Sequence, residues 1–232
     1  MNSENQFLLG TRAMLPIIVA AIPIGLVFGA VAAANGLSPL EVTLMSALVF
    51  AGGAQFVAMD IWTHPASWTG LGLAALLVNV RHVLMGASLG PRLAAFSPWQ
   101  KYLGLLIMAD ENWAMSEARA RTAPLTPSYY AGMSIPFYLN WVLASFIGAV
   151  LGAFLGDPAV IGLDFAFPAV FIVLVAGFWK GPSTGLVLMA SAAAAILVHR
   201  YVEGAWYIAA GAAAGLAVAL LAGRFGKTVP AE

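Results

Sequence analysis

SWTGLGLAALLVNVRHVLMGASLG, residues 67–90, decides the class of fold. Its first twelve residues, SWTGLGLAALLV, carry no charge and read as a membrane helix. Arg81 and His82 then stand back to back, and VLMGASLG follows before Pro91. About 20 apolar residues cross the hydrocarbon core of a bilayer. An ionisable side chain at that depth is costly unless it is paired or faces a wet cavity. The stretch therefore reads as a membrane span with a polar centre, and the centre is where function is to be sought.

Composition supports the bilayer as solvent. The chain has 232 residues, 62% of them hydrophobic and 9% charged, whereas soluble domains carry roughly 25% charged residues. Formal net charge is zero, so there is no basic footprint for nucleic acid. The absence of cysteine excludes disulfides, thiol catalysis and cysteine-ligated metals. No phosphate-binding G-x-x-x-x-G-K-[ST] loop occurs, and no cofactor or metal ligand set is expected. The N-terminus, MNSENQFLLGTRAML, lacks the basic start of a cleavable signal. The apolar run behind it is too long for a signal core, so it reads as a retained first span.

Apolar runs mark Ala13–Leu40, Val42–Met59, Trp68–Leu89 (interrupted by Arg81 and His82), Tyr102–Met115 (short, and containing Asp110 and Glu111), Thr122–Gly156, Phe165–Trp179, Pro182–Val198 and Ala205–Ala222. They predict an all-α, polytopic bundle of about seven or eight segments in a single domain spanning 1–232. A β-barrel would alternate apolar and polar residues over about ten positions, and these runs do not. With eight full spans and a cytoplasmic N-terminus, Arg12, Arg119, Arg121, Lys180, Arg224 and Lys227 lie inside, while Arg92, Lys101 and Arg200 lie outside. The positive-inside bias improves if Val42–Met59 and Tyr102–Met115 fail to cross. Arg92 and Lys101 then fall inside too.

Glycines recur four apart at Gly25 and Gly29, Gly86 and Gly90, Gly148, Gly152 and Gly156, Gly181 and Gly185, and Gly211 and Gly215. Between helices in lipid, close backbone approach carries the packing. The same spacing serves a partner helix, so a homo-oligomer stays open. IPIGLVFGAVAAANG resembles SFIGAVLGAFLGDPA, which suggests repeated halves of about 10–115 and 130–222 with the substrate site at their interface.

Three short motifs gather the polar residues expected at membrane depth. In AGGAQF, residues 51–56, Gly52 and Gly53 weaken the helix and favour a break. Gln55 adds an amide that both donates and accepts. The bland alternative is a kink whose Gln55 bonds a neighbouring backbone. In NVRH, Asn79 and His82 share a helix face, while Arg81 projects in line with Met85 and Ser88. Arg81 is expected to face a carboxylate; the alternative is snorkelling to the interface. In ADENW, residues 109–113, Asp110 and Glu111 point to different faces, so one is free to pair with Arg81 or Lys101. Asn140 in PFYLNWVL is a further amide, one turn after Pro136. GASLG, residues 86–90, matches the G-x-S-x-G nucleophile elbow. An intramembrane serine hydrolase would need a histidine beside Ser88 and a strand-turn-helix setting, and a channel would need a ring of like charge or a carbonyl filter. Neither is evident.

Taken in order, Pro16, Pro23, Gly25 and Gly29, FAGGAQF, NVRHVLMGASL, DENWAM and GLDFAFPAVF (162–171) resemble the AzlC-type branched-chain amino acid exporters, over about residues 10–222. The resemblance implies a secondary transporter in the bacterial cytoplasmic membrane that exports branched-chain amino acids. It also implies a small hydrophobic AzlD-type partner subunit. Such a zwitterion needs an anion site, offered by Arg81 or the helix start at Gly52 and Gly53, and a cation site, offered by Asp110 or Glu111. Phe50, Phe56, Met85 or Trp113 would line the aliphatic pocket.

Overall fold

A computed structural model describes residues 5–152, 181–202 and 204–225, together with residues 154, 165, 172, 175, 176 and 179. The segment expected over Phe165–Trp179 and the motif at 162–171 lie largely outside the described residues, as do Asp157, Lys180 and Lys227. Among the described residues every regular element is helical: α1 (Gln6–Ala34), α2 (Pro39–Leu48), α3 (Gly52–Asp60), α4 (Trp68–Leu89) continued by a 3₁₀ turn (Gly90–Leu93), α5 (Pro98–Leu106), α6 (Asp110–Ala120), α7 (Pro127–Gly152), α8 (Pro182–Tyr201) and α9 (Trp206–Phe225). Two compact units result. One holds Met1–Asp60 with Asn79–Phe167, the other Ile61–Val78 with Pro168–Glu232.

The spine of the first unit is the parallel pair α1 and α7. At one end a Cβ on Gly10 would strike the carbonyl of Tyr129, and one on Gly132 that of Phe7. At the other end Gly29 lies on Ser145 and Gly148 on Leu26. Both helices therefore ascend together, with backbone touching backbone at two levels. This is the packing that small residues permit where lipid offers no apolar incentive. Thr11 Oγ1 adds a hydrogen bond to the Gly132 carbonyl at 2.9 Å. The glycines of the two repeat-like stretches thus meet directly, Gly25 against Ala144 and Gly152 against Ala30.

The run Val42–Met59 is not one continuous helix. It folds as a hairpin whose tip is Val49–Ala51. Ser38 opens α2 with a capping box, its N–H donating to Glu41 Oε2 at 2.7 Å. The Ser38 donors hold the Glu41 carboxyl below its usual range. Descending α2 runs antiparallel to α7 and ends with Tyr138 Oη donating to the Ala47 carbonyl at 2.8 Å. The chain then turns back, for Gln55 Nε2 on α3 donates to Ser46 Oγ on α2 at 3.0 Å. That bond pairs residues three before and four after the tip. Farther along, Phe56 reaches Phe28, with ring centroids 5.5 Å apart.

The run Tyr102–Met115 forms a second hairpin, entering from the opposite end with its tip at Ile107–Ala109. Ser97 opens α5 by donating its N–H to Gln100 Oε1 at 2.9 Å. Phe96 packs on Tyr130 at 5.8 Å, and Tyr130 Oη donates to the Gly104 carbonyl at 2.7 Å. Past the tip Asn112 meets Ser134, and the Arg119 guanidinium lies 4.6 Å over the Tyr129 ring, back at the starting level. Ser134 and Tyr138 flank Pro136 on α7, so both tips stop near the middle of that helix. α4 descends beside hairpin two, Leu89 and Met85 sharing a core with Phe96, Met108 and Tyr130. Hence α1 with hairpin one and α4 with hairpin two form the same motif in opposite senses. Among the described residues four helices, α1, α4 with its 3₁₀ turn, α7 and α8, are long and apolar enough to cross a membrane. The remaining apolar segments between α1 and α7 go into the hairpins.

Charge sorts by end. Arg12, Arg92, Lys101, Arg119 and Arg121 lie towards the end of the first unit where α1 and α7 begin, whereas residues 35–60, which enter from its other end, contain no lysine or arginine. In the second unit α8 and α9 form an antiparallel pair with Gly211 and Gly215 seated on Ser191.

Candidate functional site

The site is built where a broken helix meets an intact one. α6 begins at Asp110 immediately past the hairpin tip, and its start is held by Asn112. Asn112 Oδ1 accepts the Ala109 N–H at 2.8 Å, while Nδ2 donates to the Ile107 carbonyl and to Ser134 Oγ, each at 2.9 Å. This fully buried amide spends its donors and acceptor fixing the first turn of α6 against α7. Asp110 and Glu111 are thereby presented at the hairpin tip, at the positive end of the α6 dipole. Across from them Arg81 Nη1 lies 2.7 Å from Asp110 Oδ2.

The expected carboxylate partner of Arg81 is thus Asp110. The side chains are 42% and 38% exposed, so the pair is reachable and is no sealed structural bridge. Asn79 Oδ1 and Arg81 Nε are buried and make no hydrogen bond, while His82 lies against the Asn79 and Met108 backbone. Buried polar atoms are normally partnered, and two orphans within three residues leave donor and acceptor capacity beside an ion pair. That arrangement can exchange its internal charge pairing for a ligand that carries both signs.

Other sequence candidates fall elsewhere. Gln55 is fully buried and bonded at both ends of its amide: beyond its bond to Ser46, its Oε1 accepts from Trp141 Nε1 at 2.9 Å. Trp141 in turn stacks on Phe28 at 6.2 Å. Gln55 therefore holds hairpin one closed through side chains, and not through a neighbouring backbone. Gly52 lies under Trp141, whose ring a Cβ would meet at 3.0 Å; Gly53 follows it in the first turn of α3. Asn140 Nδ2 donates to the Ile18 carbonyl at 3.3 Å, within the α1–α7 seam between Pro16 and Pro23. Of the expected pocket residues, Phe56 and Met85 are core, and Phe50 packs on Phe137 and Tyr138. Ser88 lies inside a continuous helix, donating to the Met85 carbonyl and accepting from Trp113 Nε1 at 2.8 Å, which is not the setting of a nucleophile elbow.

Sequence alone does not single out Asn112, Ser134, Ser46 or Trp141. The signal available for Asn112 is its position three residues after Ala109, the spacing at which a side chain reaches back to cap a helix start.

A family model described as AzlC protein matches residues 16–155. The chain is 32% identical over 184 residues to the inner membrane protein YgaZ of Escherichia coli, covering 76% of this chain and 75% of that one. It is 27% identical to an uncharacterized membrane protein of Archaeoglobus fulgidus, over 78% of this chain and 80% of the relative. It is 25% identical to the branched-chain amino acid transport protein AzlC of Bacillus subtilis, over 77% and 72% of the respective lengths. No solved structure matches.

Proposed function

Since the chain belongs to the AzlC family, we propose that it is a secondary transporter exporting branched-chain amino acids across the bacterial cytoplasmic membrane. The observation that carries this reading is the Arg81–Asp110 pair at the tip of a re-entrant hairpin, half-way along the spine. A branched-chain amino acid is a zwitterion. Its carboxylate takes the place of Asp110 at Arg81, and its ammonium takes the place of Arg81 at Asp110 or Glu111. Both charges stay compensated during the exchange, which avoids the several kcal/mol that a lone buried ion costs. Discontinuous helices with their ends at mid-depth are how many transporters build such sites. The name of the Bacillus subtilis relative supports the substrate class. A small hydrophobic AzlD-type subunit completes the permease in this reading. Clustering of Arg12, Arg92, Lys101, Arg119 and Arg121 at one end supports a cytoplasmic N-terminus.

The test is efflux of labelled leucine or valine from vesicles containing the chain with its partner subunit, the pH gradient and potential being set independently. Arg81→Ala and Asp110→Ala should each abolish concentrative transport at equal expression. Parent-like transport by both variants would remove the pair from the mechanism.

A further inference from the structure

We infer that the seam between α4 and α6 is an aqueous passage joining the Arg81–Asp110 pair to the basic end of the first unit, with Arg92 and Glu117 closing its mouth. The inference rests on the transport reading for its purpose but on packing for its existence. α4 with its 3₁₀ turn and α6 descend side by side, and three successive contacts join them. Arg81 meets Asp110 at 2.7 Å, Trp113 Nε1 meets Ser88 Oγ at 2.8 Å, and Arg92 Nε lies 3.8 Å from Glu117 Oε2. These three contacts are polar, and they line up over the length of a half-span in a chain that is 9% charged, beside the apolar packing of Met85 and Leu89. Charged groups at this depth do not face hydrocarbon; they face a partner or a water-filled cavity. The exposed part of each partner therefore borders water. Glu117 Oε1 and Arg81 Nε are buried and unpartnered at the two ends of the same seam.

The matching seam of the inverted motif, α1 against α3, is dry. There Phe28, Gln55 and Phe56 are fully or nearly fully buried, and Gln55 is bonded to Ser46 and Trp141. One path is polar and partly exposed while its counterpart is plugged by aromatic rings, so the site communicates with the basic end alone. At 3.8 Å the Arg92–Glu117 pair is looser than a charge-assisted hydrogen bond of about 2.7–2.9 Å. It suits a closure that must release.

The chain contains no cysteine, so single-cysteine variants report directly. Ser88→Cys and Ala114→Cys place thiols on the seam, and Val83→Cys places one on the opposite, exposed face of α4. The probe is a membrane-impermeant, anionic methanethiosulfonate added to sealed vesicles of either orientation. Seam thiols should react from the basic-end side at least about tenfold faster than Val83→Cys, because the thiolate that reacts does not form in hydrocarbon. Glu117→Gln in the Ser88→Cys background should speed labelling further. Equal rates at seam and control positions, or reaction only from the opposite side, would overturn the passage. An unchanged rate with Glu117→Gln would overturn the closure. Labelling needs no substrate. Full labelling without branched-chain transport would sink the transport reading and leave the passage standing; transport without labelling would do the reverse.

Discussion

Arg81 shows how much one residue's geometry can decide. Its guanidinium could in principle stretch to the headgroups, as long cationic side chains do, but it turns inward to Asp110. A planar fork binds a carboxylate in two parallel bonds, and an ammonium cannot. Arg81→Lys should therefore keep the charge and the fold while raising KM for leucine at least about tenfold, the cost of roughly 1.4 kcal/mol in recognition. A wild-type KM in uptake by inverted vesicles would show that charge alone suffices there. Gln55 has the opposite character. Gln55→Leu strands Trp141 Nε1 and Ser46 Oγ in a dry site, and each unsatisfied group costs about 1–3 kcal/mol. The variant should lose thermal stability in detergent. Equal melting temperatures for parent and Gln55→Leu would refute the clamp. In sequence the two residues look alike, polar groups in apolar runs. The difference lies in neighbours contributed by α7 and by hairpin two, 29 to 86 positions away, and no local pattern encodes those.

At the scale of elements, glycine spacing was legible and partner choice was not. Gly25, Gly29, Gly148 and Gly152 stand four apart in the sequence, and all four face the other helix of the α1–α7 pair. At Gly29 and Gly148 the obstructing atoms are backbone, which cannot rotate aside. Gly29→Leu or Gly148→Leu should separate the helices and reduce folded yield sharply. By contrast Gly72 and Gly90 have open space where a Cβ would stand, so Gly72→Ala and Gly90→Ala should leave yield within experimental error. Fluorescence-detected size-exclusion chromatography distinguishes these outcomes, and monodisperse Gly29→Leu at parental yield would contradict the seam. The break in AGGAQF was also readable, since adjacent glycines favour one. Its actual position, Val49–Ala51, precedes both glycines, which instead start α3 under Trp141. The break before Asp110 has no glycine or proline to announce it. Asn112 makes it by capping the new helix, a tertiary device that hydropathy does not register.

For the whole molecule the issue is how many times the chain crosses before α7. Hydropathy counts five apolar runs up to and including Thr122–Gly156, and length alone treats each as a span. Two fold as hairpins, because Ser46 bonds Gln55 across one tip, and because Gly104 and Arg119, on either side of the other, both return to neighbouring residues of α7; a hairpin that returns to its starting level is expected to be re-entrant. Parallel packing of α1 and α7 requires an odd number of crossings between them, and α4 alone satisfies it. Five full spans satisfy it too, so parallelism does not discriminate; the loops do. With re-entrant hairpins, Ala66 lies on the side opposite the N-terminus and Ala95 on the same side. With every run crossing, both assignments reverse. Single cysteines at Ala66 and Ala95, labelled in intact cells with an impermeant maleimide, separate the cases. Ala66→Cys should label from outside and Ala95→Cys only after permeabilisation. Five crossings with an external N-terminus would label the same way, and a thiol at Arg121 separates the two: protected with the hairpins, where Arg92, Lys101, Arg119 and Arg121 lie inside together as the positive-inside bias favours, and labelled with five crossings. The reverse pattern, Ala95→Cys labelled in intact cells and Ala66→Cys protected, would mean either five crossings with the N-terminus inside or an inverted hairpin protein. A thiol at Arg121, inside in the first case and outside in the second, tells these apart.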